Sequence, residues 1–176
     1  LIFATWDPEA PSLEDYLGDI RWYLDPMFNK RDRGLDLLGP QKWIVPSNWK
    51  LPADNFAGDT YHIPVSHRAA QTVIARANRQ PMPDTLKYYN TPGGYSVSPG
   101  NGHGLMVNFA DSDDGFWQMF NSRNPEQILR DHYLRIHPEV QRRLGFRANR
   151  MTTIVATVFP NFSVHPATSV RIYHPR

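Results

Sequence analysis

The 176-residue sequence contains no cysteine. This excludes disulfides, thiolate metal sites, cysteine nucleophiles and any cysteine-ligated iron–sulfur cluster within the stretch. No apolar run approaches the roughly 20 residues of a membrane-spanning helix, so no membrane association is expected. Charge of one sign is also scarce: 19 basic residues face 17 acidic ones, a formal net charge of +2. The densest basic stretches, Lys30-Arg31-Asp32-Arg33 and Arg142-Arg143, are short and mixed with acids. They read as solvated surface rather than a nucleic-acid stripe. Internal repeats and low-complexity linkers are missing too, so no domain boundary is expected inside residues 1–176.

What is present reads as ordinary globular chain, 40% hydrophobic and 20% charged. Leu1-Ile2-Phe3-Ala4-Thr5-Trp6 is strand-like, and so is Ser169-Val170-Arg171-Ile172-Tyr173. Both ends look cut through structure, and a fragment of a longer protein is expected. Ser12 suits a helix cap, with Asp15 three residues on. Leu13, Tyr16, Leu17, Ile20 and Leu24 recur at helical spacing, and Pro26 is expected to end or bend that helix. Lys42-Trp43-Ile44-Val45 reads as a strand between prolines. Gln80 to Gly104, rich in Pro and Gly, predicts a long irregular excursion. Leu105–Ala110, Met151–Phe159 and part of Ser163–Tyr173 read as strands. Asp114–Phe120, Pro125–Leu134 and Pro138–Leu144 read as helices, the last ending at Gly145. Trp6, Trp22, Trp43 and Trp49 are expected in the core. Helices interleaved with antiparallel strands indicate an α+β class.

The chemistry concentrates in Tyr61-His62-Ile63-Pro64-Val65-Ser66-His67. Neutral imidazoles ligate first-row metals, and two His with one carboxylate leave open positions on the opposite side. Five positions apart is a poor spacing on one straight helix. A break at Pro64 is expected to turn both rings toward one point. Asp54, Asn55 and Asp59 lie just upstream. The pair alone is weak evidence, because two His within six residues occur often by chance. It matches neither a zinc finger nor H-E-x-x-H. His103, in a Gly-His-Gly turn, is an outside candidate for a third nitrogen ligand. His132, His137 and His174 read as surface residues.

The wider string is more specific. Asn48-Trp49-Lys50-Leu51-Pro52-Ala53-Asp54-Asn55-Phe56-Ala57-Gly58-Asp59-Thr60-Tyr61-His62, then His67, resembles the iron-site motif of Rieske non-haem iron aromatic-ring-hydroxylating dioxygenase large (alpha) subunits. That pattern is approximately N-W-K-x-x-x-E/D-N-x-x-x-D-x-Y-H-x-x-x-x-H, and every fixed position matches. Leu1 to Asp7 with Leu13 to Gly18 resembles the entry into the family's catalytic domain. Asn101-Gly102-His103-Gly104 and Thr157-Val158-Phe159-Pro160-Asn161-Phe162-Ser163 resemble two further family elements.

The resemblance implies a helix-grip (Bet v 1/START-like) α+β catalytic domain with an antiparallel sheet, residues 1–176 being part of it and incomplete at both ends. It implies that His62 and His67 ligate a mononuclear Fe(II). Asp59 would be the bridge from a neighbouring subunit's [2Fe-2S] Rieske cluster, and Asn55 would stand close to the iron. Phe56, Thr60 and Ile63 would line the substrate pocket, with Thr153, Val155 and His165 as further candidates. The third iron ligand, an aspartate, and the Rieske domain would lie outside this sequence, which by itself should not catalyse the full reaction. The implied activity is O2-dependent hydroxylation of an aromatic ring to a cis-dihydrodiol, with bicyclic or polycyclic hydrocarbons favoured. NAD(P)H would supply electrons through a reductase or ferredoxin. A small (beta) subunit, a trimeric assembly and a cytoplasmic location follow from the same resemblance. Two rival classes stay open: a non-catalytic helix-grip protein binding a hydrophobic ligand, and a zinc hydrolase using His62, His67 and Asp59.

Overall fold

A computed structural model describes residues 3–59, 62–77, 79–81, 94–122, 125–165 and 169–174, and of residues 63, 64 and 122 the backbone alone. Its centre is an antiparallel five-stranded sheet in the order β1-β2-β3-β4-β5. The strands are β1 (Gly94–Val97), β2 (Gly104–Phe109), β3 (Met151–Val158), β4 (Phe162–His165) and β5 (Ser169–Ile172). Helices α1 (Leu13–Leu17), α2 (Ile20–Phe28), α3 (Lys50–Ala57), α4 (Ile63–Ser66) and α5 (Arg68–Ala77) precede it. Between β2 and β3 run α6 (Gly115–Ser122), α7 (Gln127–Leu144) and α8 (Arg147–Arg150). The expected α+β class with an antiparallel sheet is what the chain adopts.

The pleat of β2 and β3 divides the molecule into two layers, because alternate side chains point to opposite faces. One face carries Leu105, Val107, Ala156, Val158, Phe162 and Val164, packed on Ile20 and Leu24 of α2. Leu105, Val164 and Ile20 are fully buried there, each contributing about 1.5–3 kcal/mol. The other face carries Gly104, Met106, Thr153, Val155, Thr157 and Ser163. Strand pairing puts Gly104 beside Thr157 and Thr157 beside Ser163. At that end α3 lies on the sheet. Beyond it Met106, Asn108, Thr153, Val155 and His165 line an open concavity.

Ser12 caps α1 as expected, with Asp15 N–H donating to its Oγ at 3.1 Å. The single expected helix divides at Gly18, whose φ of 50° suits glycine. Pro26 lies inside α2 rather than ending it. The carbonyl that Pro26 leaves without a helical partner is that of Trp22, and Arg147 Nη1 donates to it. Arg147 also pairs with Asp25 at 3.3 Å and covers the Trp22 ring at 4.8 Å. Pro138 likewise interrupts nothing: α7 is one helix where two were expected. There the freed carbonyl belongs to Leu134, an exposed residue.

Other expectations fail for want of a partner. Residues 42–45 form no strand, and Trp43, Ile44 and Val45 are exposed. Apolar alternation makes a strand only where a neighbouring edge supplies the ladder. Residues 3–6 form no strand either, although Phe3 packs edge-on against Phe162 at 5.5 Å. Trp6 and Trp43, expected in the core, are 103% and 68% exposed, and Trp22 is also exposed. Gly94–Val97 is regular where irregular chain was expected, because it pairs with β2. Residues 82–93 of that stretch lie outside the described residues. The basic stretches are not merely solvated. Arg143 donates to Asn29 and Asp32, and Arg31 faces Glu139 at 3.5 Å, tying the end of α2 to α7.

Candidate metal centre

Helix α3 begins where Asn48 Oδ1 accepts from Lys50 N–H at 3.0 Å, an Asx turn that starts the coil. Pro52 fits the first turn, where no helical donor is needed. The helix ends at Gly58, whose N–H donates to the Asp54 carbonyl. After Asp59 the chain re-enters helix twice in quick succession. The His62 carbonyl accepts from Val65 and Ser66 N–H at 3.1 and 2.6 Å and opens α4. The His67 carbonyl accepts from Gln71 N–H at 3.0 Å and opens α5. Pro64 therefore sits in the first turn of α4 and does not break a helix between the two His. Convergence comes from two successive helix starts.

The rings of His62 and His67 meet with centroids 4.7 Å apart at 77°. Two imidazoles bound in adjacent positions at about 2.1 Å to one ion would have centroids about 4.5 Å apart. His62 Nδ1 lies 2.7 Å from the Asp59 main-chain oxygen. A carbonyl only accepts, so Nδ1 carries the proton and Nε2 keeps its lone pair for a metal. This is how a ligating imidazole is ordinarily oriented. The Asp59 carboxylate stands 3.3 Å from the same nitrogen and accepts from the His62 backbone N–H at 3.3 Å. Asn55 Nδ2 reaches Asp59 Oδ2 at 3.4 Å and stands 3.2 Å from His62 Nδ1. Asn55, Asp59 and His62 thus form one partly buried polar cluster, with His67 exposed beside it.

The other expected site residues divide. Thr153, Val155 and His165 line the concavity together with His67. Phe56 is buried beneath the Arg171 guanidinium at 4.5 Å and lies 6.3 Å from the His165 ring. It does not line the concavity. Thr60 lies outside the described residues. Ile63 is in α4, its side chain likewise outside. Among the described residues no third His, Cys, Asp or Glu joins the pair into a metal cluster. The donors therefore fit a first-row metal as two of its ligands and no more.

His103 is not a ligand. It is buried, its Nδ1 accepts from Phe159 N–H at 3.0 Å, and its Nε2 donates to the Tyr16 carbonyl at 3.0 Å. Both ring nitrogens are spent holding α1 to the β3–β4 turn. His137, expected on the surface, packs against Phe116 and Trp117 with centroids at 5.9 and 4.9 Å. Burial there holds its imidazole below the ordinary histidine value. Sequence reasoning passed over Thr157 and Ser163 as individual residues, although both stand in the T-V-F-P-N-x-S string. They form the buried polar contact between sheet and α3.

The concavity holds about 3880 Å3, well above the roughly 300–1,000 Å3 of a small-molecule pocket. It is an open face with the His67 imidazole at its rim. No described helix is long and apolar enough to cross a membrane.

Residues 13–176 match the family described as ring hydroxylating alpha subunit (catalytic domain). The alpha subunit of N,N-dimethyl phenylurea N-demethylase from Sphingobium sp. (strain YBL2) is 35% identical over 167 residues, covering 92% of this chain and 34% of that protein. The large oxygenase component of the naphthalene 1,2-dioxygenase system of Pseudomonas aeruginosa is 33% identical over 195 residues, covering 99% of this chain and 38% of that protein. A solved structure of naphthalene 1,2-dioxygenase with indole bound in the active site superposes with a TM-score of 0.65 at 30% identity, covering 97% of this chain and 37% of that one. The chain spans just over a third of the length of these relatives.

Proposed function

The chain belongs to the ring-hydroxylating alpha-subunit family, within its catalytic domain, and from that premise we propose that it supplies part of the oxygenase site of an aromatic-ring-hydroxylating dioxygenase. The observation that carries this is the convergence of His62 and His67 with His62 Nδ1 held by Asp59. The reaction is the O2-dependent addition of two hydroxyls to an aromatic ring, giving a cis-dihydrodiol. A bicyclic or polycyclic hydrocarbon is the substrate class, in keeping with the naphthalene in the names of several relatives.

His62 and His67 are the residues that would hold a mononuclear Fe(II). When bound, that ion supplies open coordination positions for oxygen and the redox capacity that the side chains lack. The protein's own part is orientation. Asp59 fixes the His62 tautomer through its carbonyl and presents its carboxylate at the cluster's edge. Asn55 holds that carboxylate from the α3 side. We assign Asp59 as the bridge toward a Rieske [2Fe-2S] centre on a neighbouring subunit. Thr153, Val155 and His165 form the wall against which the ring lies, with Phe56, Thr60 and Ile63 close by. Residues 1–176 are read as part of the catalytic domain, with the Rieske domain before them and the aspartate ligand after them. Ferredoxin or reductase, a small subunit, a trimer and a cytoplasmic location near the NAD(P)H pool belong to the same reading.

The rivals fare less well. A plain hydrophobic-ligand carrier has no need for converging imidazoles. A zinc hydrolase needs Asp59 as a ligand, yet its carboxylate faces the Nδ1 side of His62, which is already protonated. Metal analysis of the full-length protein tests the assignment. His62→Ala and His67→Ala should each lose iron. Asp59→Ala should keep iron and lose turnover. Iron lost in the Asp59 variant would favour the hydrolase-type site.

A further inference from the structure

Where β3 meets α3, a polar contact lies deep in the sheet. Ser163 is 0% exposed and Thr157 4%. Thr157 Oγ1 donates to the Ala53 carbonyl of α3 at 2.7 Å. That uses the only hydroxyl proton Thr157 has. The 2.7 Å contact between Thr157 Oγ1 and Ser163 Oγ is therefore donated by Ser163. The result is a directed chain, Ser163 to Thr157 to the backbone of the helix. One turn further along α3, Ala57 rests on Gly104. A Cβ on Gly104 would come within 2.8 Å of Ala57 Cβ and 3.1 Å of its carbonyl oxygen. The hydroxyl chain fixes the helix along and around its axis, and the glycine fixes its height above the sheet. Asp59 follows the helix end by two residues, and its carbonyl is the acceptor of His62 Nδ1 at 2.7 Å.

We infer that the Thr157–Ser163 hydroxyl pair is a positioning element for the metal pair, setting α3 so that Asp59 holds the His62 imidazole in its ligating tautomer. It rests on the reading of His62 and His67 as metal ligands. The two hydroxyls touch neither metal nor substrate and act through Ala53, α3 and Asp59. Packing alone could seat a helix on a sheet, but apolar contact tolerates small slides and a hydrogen bond of fixed direction does not. Burying two hydroxyls is costly unless both are paired, and here each is.

The test uses the full-length protein freed of metal, titrated with Fe(II) without oxygen, and separately with Co(II), whose visible absorption reports ligand geometry. Thr157→Val keeps the shape and removes the hydroxyl. It should loosen Fe(II) about tenfold, the scale seen when groups that orient a ligand are lost, and alter the Co(II) spectrum. Thr157→Ser should restore both, and Ser163→Ala should fall between. A Thr157→Val protein that is less stable to heat yet binds Fe(II) and Co(II) as the unaltered protein does would overturn the inference. Should Thr157→Val not fold, Ser163→Ala decides: unchanged Fe(II) binding overturns the inference, weakened binding with an altered Co(II) spectrum supports it. If the unaltered protein and His62→Ala hold Fe(II) equally, the ligand reading fails, and this inference fails with it.

Discussion

Two stretches border the same concavity and could hardly differ more in how they are held. Residues 50–59 form a helix and its exit, tied by the Asx turn at Asn48, the hydroxyl chain at Ala53, the Gly104 contact at Ala57 and the polar cluster at Asp59. Residues 35–47 have no regular structure and expose Leu35, Leu37, Leu38, Trp43, Ile44 and Val45. The second stretch is the more apolar of the two. Apolar side chains alone do not organise a backbone, since each amide still needs a partner. The stretch that is ordered is the one whose backbone groups are paired, within the helix and its exit and, at Ala53, with the sheet below.

That contrast can be broken first at its strongest point. Gly104→Val should lift α3 from the sheet and cost about 1–3 kcal/mol or more, as overpacked cores do. Denaturant unfolding of the variant would show the loss, and its iron content should fall with it. Helices α6 and α7 form an intermediate case, joined through Phe116, Trp117, Tyr133 and His137 by ring packing. The folded state holds His137 below the ordinary value of 6.5 because burial disfavours its charge. The unfolded chain therefore binds the proton more readily, so stability rises with pH across this window. The contribution is complete above about pH 6.5 and is lost as pH falls through the lower folded value. A thermal-stability profile against pH should flatten in His137→Phe. An unchanged slope there would place the pH dependence elsewhere. The smallest effect belongs to the untied stretch. Trp43→Ser and Ile44→Thr should each shift unfolding by no more than about 0.5 kcal/mol, and a larger loss would show residues 35–47 to be held after all.

Much of this was legible from residue order. Ser12 with Asp15, Gly145, and the β-branched run from Met151 mark their elements because cap, stop and strand chemistry are local. The His62–His67 pair was legible as a candidate only through the string from Asn48 to Asp59 before it. How the rings converge was not, since it depends on helix starts at His62 and His67 rather than on Pro64. Pro138 misled for a related reason, and Pro26, expected to end or bend its helix, did not end it. A proline costs a helix one donor, and whether that matters depends on who reaches the orphaned carbonyl. At Trp22 it is Arg147, distant in sequence. Trp6 and Trp43 misled because hydrophobicity proposes burial without supplying a place for it. Thr157 and Ser163 went unassigned because nothing local says that two hydroxyls six apart will face each other across a strand pair.

Strand β3 carries one further consequence. Thr157 is committed to α3, while Thr153 and Val155, on the same face of the same strand, line the concavity. Selection can therefore redraw the floor of the concavity at positions 153 and 155 while the end of the strand that seats the helix stays fixed. One strand thus separates a part of the surface free to vary from a part bound to hold its neighbour in place.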